Sequence, residues 1–89
     1  MRVRLRRRIV ALGYAWLERV EFDPSEGITL SVGGQKVRIK GRNLNAEIRP
    51  SVRLFEGIAR HRVPWIREAD RSAGLQAGDR DTVIDAIEL

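Results

Sequence analysis

Few residues of this sequence are of a type that could carry out chemistry. His61 is the one histidine and there is no cysteine, so neither an imidazole cluster nor a thiolate metal site can form. It stands between Arg60 and Arg62 with no nucleophile at a recognisable spacing, and so reads as an exposed or half-packed helix residue rather than a catalytic base. Asp79, Asp81 and Asp85 repeat carboxylates, but the glycine and the terminal glutamate of a calcium-binding loop are missing. Gly33-Gly34 belongs to neither phosphate-binding glycine pattern. Gly41-Arg42-Asn43-Leu44 follows a strand and could expose backbone N–H groups to an anion, although it reads better as a plain loop. No metal, cofactor or catalytic pair is expected, and an enzyme is the least supported class.

Positive charge is the feature with functional pull. The 89 residues carry a net charge of +5, unevenly placed. Arg2, Arg4, Arg6, Arg7 and Arg8 precede any acid, and Lys36, Arg38, Lys40 and Arg42 follow in a second run. The stretch from Glu68 onward is acidic instead. Such a field favours polyanionic partners. Arginine outnumbers lysine fifteen to two, which suits phosphate recognition by guanidinium forks and equally follows from GC-rich coding. If Arg2 to Arg8 and Lys36 to Arg42 lie side by side, they make a phosphate-tracking stripe for nucleic acid or another polyanion. A binding module of that kind is the expected function; a self-associating interaction protein with incidental charge is the alternative.

Base stacking would require aromatic side chains on the basic face. Phe22 and Phe55 instead fall on apolar stripes, and the sequence leaves Trp16 and Trp65 unplaced.

The elements that must position these charges are readable in part. Ile28, Leu30 and Val32 alternate with Thr29 and Ser31; after Gly33-Gly34, Val37 and Ile39 alternate with Lys36, Arg38 and Lys40. A two-residue Gly-Gly turn then sets Val32 against Gln35, Leu30 against Val37 and Ile28 against Ile39. Val20 and Phe22 alternate with charged neighbours and lead into the turn-rich 23–27, which predicts a third strand from about Tyr14. Residues 1–8 are either an edge strand or a basic arm.

Beyond Asn43 the period changes. Val52, Phe55, Ile58 and Ala59 recur at helical spacing, predicting a helix over 50–62, and Pro64 would open a second helical segment through about Ala73. Val83, Ile84 and Ile87 share one side of a short C-terminal helix. The expected architecture is α+β: an antiparallel meander of three to four strands packed against one or two C-terminal helices. Residues 1–74 form the expected domain and 75–89 an acidic tail or docking helix that the fold can lose.

The longest apolar run, Ile9 to Leu17, is too short to span a bilayer. Although an arginine-rich start precedes it, no small-residue cleavage site follows. A cytoplasmic protein without membrane insertion is therefore expected. With no disulfide to staple a core this small, self-association into a homo-oligomer would be a natural source of stability.

Overall fold

The computed structural model describes residues 1–45, 47–49, 52–69 and 82–89. In chain order it contains β1 (Arg2–Arg4), β2 (Ile9–Ala11), a 3-10 turn (Tyr14–Trp16), β3 (Leu17–Asp23), β4 (Gly27–Val32), β5 (Gln35–Arg42), β6 (Glu47–Arg49) and β7 (Val52–Arg53). They are followed by α1 (Leu54–Ala59), β8 (Trp65–Arg67) and β9 (Val83–Glu88). The strands assemble as a three-stranded sheet β2-β1-β8, a four-stranded sheet β3-β4-β5-β9 and the pair β6-β7. This corrects the expected α+β meander with C-terminal helices. The architecture is mostly β, and the one helix among the described residues is a six-residue segment followed by two further strands.

The central hairpin forms with the expected register: Ile28 opposes Ile39, Leu30 opposes Val37 and Val32 opposes Gln35. Gly33 and Gly34 have φ of 55° and 83°, the two positive values that match a type I′ turn to the twist of its strands. All five apolar residues are buried, and Lys36 and Arg38 face solvent. β3 adds on the other side of β4, pairing Val20 with Leu30 and Phe22 with Ile28. It begins at Leu17 rather than Tyr14, because Tyr14–Trp16 close a 3-10 turn first. A bulge between Leu17 and Arg19 accommodates Glu18, the residue that interrupts the alternation.

The N-terminal segment is neither a lone edge strand nor an arm. β1 and β2 form an antiparallel hairpin with Val3 opposite Val10 and Arg4 opposite Ile9, and Arg6 to Arg8 occupy the reversal, where the Leu5 N–H donates to the Arg8 carbonyl at 2.8 Å. β8 lies parallel to β1 on its other side, pairing Arg2 with Trp65 and Arg4 with Arg67. The second helix expected from Pro64 is thus replaced, over 65–67, by a strand whose partner is about 60 residues away in sequence. The remainder of that expected helix, 70–73, lies outside the described residues.

The C-terminal helix is replaced as well. Val83–Glu88 pair antiparallel with β5, Ile87 opposite Ile39 and Glu88 opposite Arg38. A bulge leaves Asp85 unpaired between Ala86, opposite Lys40, and Ile84, opposite Gly41. Gly41 is required there, since a Cβ would stand 1.9 Å from the Val83 carbonyl oxygen.

One core serves both sheets. Val3 and Ile66 from the three-stranded sheet cluster with Ile28, Leu30, Val37, Ile39 and Ile87 from the four-stranded one, and Leu54 and Ile58 of α1 join them. Phe55 packs against Phe22 with ring centroids 5.9 Å apart. The sheets meet where β8 ends. The Ala69 N–H donates to the Ile84 carbonyl at 2.7 Å, and the Glu68 carboxylate accepts from the Arg6 N–H at 3.1 Å and the Ile87 N–H at 3.0 Å. A single side chain therefore ties the basic turn to β9.

Candidate polyanion-binding surface

Because strand side chains alternate between faces, burial of Val3 and Ile66 turns their neighbours outward. Arg2 and Arg4 on β1 and Trp65 and Arg67 on β8 are all exposed. Ile9 and Ala11 on β2 complete the face. The register arranges these six side chains in two rows, Ile9-Arg4-Arg67 and Ala11-Arg2-Trp65. Arg2, Arg4, Ile9, Pro64 and Trp65 line an open groove of about 440 Å³. Arg6, Arg7 and Arg8 project from the adjoining turn and are exposed.

Among the described residues none of Arg2, Arg4, Arg6, Arg7, Arg8 and Arg67 forms an ion pair. Their mutual repulsion is mild: Arg2 and Arg4 stand about 7 Å apart along the strand, where like charges in water repel by about 0.6 kcal/mol. Among the described residues no carboxylate forms an ion pair with this cluster.

The second run of basic residues lies elsewhere. Lys36, Arg38 and Lys40 project from the outer face of the four-stranded sheet, which turns its opposite face to the shared core. There β9 brings an acid beside Lys40 and Arg38. Lys40 pairs with Glu88 at 3.1 Å, Arg38 faces the same glutamate in register, and on β3 Arg19 pairs with Glu21. Arg42 ends β5, exposed and just beyond the bulge. The two runs thus stand on the outer faces of two different sheets. Arg67 and Trp65 were missed by the sequence reading because they sit in the segment expected to be helical; the alternation Trp65-Ile66-Arg67 was the available signal.

Trp65 is 57% exposed within the basic face, and Ile9, across β1 in the other row, 59%. Trp16 is 66% exposed at the head of β3, over Gly13 and Gly33.

His61 has a structural role. It follows α1 with φ of 58°, and the bonds Arg62 N–H to Gly57 O (2.8 Å) and His61 N–H to Ile58 O (3.0 Å) are those of a Schellman cap, where glycine is usual. A left-handed non-glycine residue costs about 1 kcal/mol. The imidazole stacks on Tyr14 with centroids 4.7 Å apart, a contact worth about the same. The Tyr14 hydroxyl donates to the Val63 carbonyl at 2.6 Å, and burial raises its pKa against the opposing effect of that bond.

The loop after β5 borders a smaller cavity of about 220 Å³, lined by Phe22, Gly41, Leu44 and Asn45 among others. Asn45 Oδ1 is buried there with no hydrogen-bond partner among the described residues; an acceptor oxygen does not suit the anion considered for this loop. Asp79 and Asp81 lie outside the described residues. Among those described, no group of three or more histidine, cysteine, aspartate or glutamate side chains is placed to hold a metal ion, and no helix is long and apolar enough to cross a membrane. No family model, curated protein or solved structure matches this chain.

Proposed function

We propose that this chain is a non-enzymatic binding module for nucleic acid or another polyanion, and that its contact surface is the outer face of the three-stranded sheet with the adjoining Arg6-Arg7-Arg8 turn. One observation carries the reading: six guanidinium groups gather there without an ion pair among the described residues, while Lys40 and Arg19 elsewhere are matched by glutamates. Phosphate contacts release condensed counterions, so affinity should fall steeply with salt. If about four phosphates of a single strand are engaged, the logarithm of affinity should fall against the logarithm of salt with a slope near −3. Absence of binding to DNA, RNA and heparin at about 50 mM salt, where electrostatic contacts are strongest, would end this reading.

A second reading has its own support. Trp16, Ile9 and Trp65 are large apolar side chains left in solvent, and β2 and β3 end their sheets, which is what strand-to-strand self-association uses. Sedimentation over a range of concentrations tests it; a concentration-dependent oligomer with binding indifferent to the identity of the basic residues would favour it.

A further inference from the structure

Resting on the polyanion reading above, we propose that the ligand is single-stranded nucleic acid, held with a base stacked on the Trp65 indole and its phosphates on Arg2, Arg4 and Arg67. Tryptophan is a large apolar surface that folding ordinarily covers, yet Trp65 remains 57% exposed in the same row as Arg2, with Arg67 two residues along its own strand. Arginines alone serve any phosphate chain. An aromatic ring set among them adds something only for a ligand that alternates phosphates with flat, unstacked rings.

Geometry narrows the ligand further. In a duplex each base face is already occupied by its neighbours, so an indole on a sheet surface meets only sugar and phosphate. A single strand can splay a base onto it. The face is three strands wide at about 4.8 Å between strands, and its two rows lie about 7 Å apart, room for about two nucleotides in the manner of other sheet surfaces that stack bases on aromatic side chains. Ile9 and Pro64 also line the groove and offer apolar contact for a base edge, and the Arg6-Arg7-Arg8 turn offers charge to the strand as it leaves.

The outer face of the four-stranded sheet makes an internal contrast. Its exposed residues Arg19, Glu21, Lys36, Arg38 and Glu88 carry mixed charge and include no aromatic ring. Trp16, the other open indole, stands in the 3-10 turn ahead of β3; the three-stranded face alone carries its indole within a strand, beside guanidinium groups that form no ion pair among the described residues.

The chain has two tryptophans, so a Trp16→Phe variant leaves Trp65 as the sole indole reporter. Titrated with oligo(dT) and with oligo(U), its emission should be quenched saturably. Trp65→Leu should weaken binding of both oligonucleotides about tenfold or more, as loss of one stacked base does, while leaving the salt slope, heparin binding and the thermal midpoint unchanged. Trp16→Leu should leave the affinity unchanged. If oligonucleotides and heparin bind but the Trp65 emission is unaffected, or Trp65→Leu binds as wild type, the stacking inference is overturned and the polyanion reading stands. If neither oligonucleotides nor heparin bind, both fall.

Discussion

The outer faces of the two sheets start from similar sequence and end with different surfaces. On the four-stranded sheet, β9 from the acidic end of the chain lies beside Arg38 and Lys40, and its Glu88 pairs with Lys40 and stands opposite Arg38 in register. On the three-stranded sheet, Arg2, Arg4 and Arg67 share their face with Ile9, Ala11 and Trp65 and with no acid among the described residues. The difference teaches that charge counted along a chain is not charge presented at a surface. Cross-strand pairing decides which cations meet a carboxylate, and here it leaves one face with no acid among the described residues.

The largest effect should come from removing the strand that compensates the four-stranded face. Deleting residues 82–89 takes away β9, the buried Ile87 and the backbone partners of β5. We predict loss of cooperative unfolding, a cost of about 5 kcal/mol or more against the usual margin of a small domain. A truncated chain that unfolds cooperatively near the wild-type midpoint would return this segment to the status of a tail.

Next come the residues that make the two sheets one unit. Leu30→Ala and Ile66→Ala, one from each sheet, should each cost about 2 to 5 kcal/mol by denaturant titration, with a single transition. If Ile66→Ala melted the three-stranded sheet alone, the shared core would be an overstatement. Glu68→Gln keeps one acceptor of the two that bridge the Arg6 and Ile87 N–H groups and should cost about 1 to 3 kcal/mol; a neutral effect would remove Glu68 as the tie between the basic turn and β9.

Smaller still is the effect of the only tyrosine. Burial raises the folded-state pKa of Tyr14 above its ordinary value of 10.0. The unfolded state then gives up its proton first, so the contribution is complete below pH 10 and is lost as pH rises from there through the folded-state value. Tyr14→Phe should cost about 1 kcal/mol at neutral pH and show a shallower loss of stability above pH 10 than wild type. Parallel alkaline profiles for the two proteins would contradict the assignment.

How much of this was legible in the sequence depended on how local the causes were. The hairpin over 27–41 was fully readable, down to Leu30 opposite Val37, because a Gly-Gly turn and strict alternation fix it within about a dozen residues. The C-terminal strand was not, because the bulge at Asp85 shifts its alternation. Ile84 and Ile87 both pack toward the core, a spacing of three that imitates a helical stripe. At the N-terminus, Val3, Leu5 and Ile9 look like one alternating strand, yet the chain reverses at Arg6 to Arg8, so Val10 packs against the core while Ile9 faces outward. β8 depends on a parallel partner far away in sequence, which no local pattern encodes. The same gap hid part of the candidate surface. Arg2, Arg4 and Arg6 to Arg8 stood out by composition, whereas Arg67 and Trp65 acquire significance only when β8 is laid beside β1.

On the proposed reading the three-stranded face, and not the four-stranded one, contacts the polyanion. Two triple variants remove the same formal charge from each, Arg2, Arg4 and Arg67→Ala against Lys36, Arg38 and Lys40→Ala, so the long-range field changes equally. Binding of oligo(dT) measured across a salt series should respond to the first set alone, with the slope flattened by about 2 as three phosphate contacts are lost, while the second set stays close to wild type. Equal losses in the two variants, or a larger loss from the lysine-bearing set, would contradict the account.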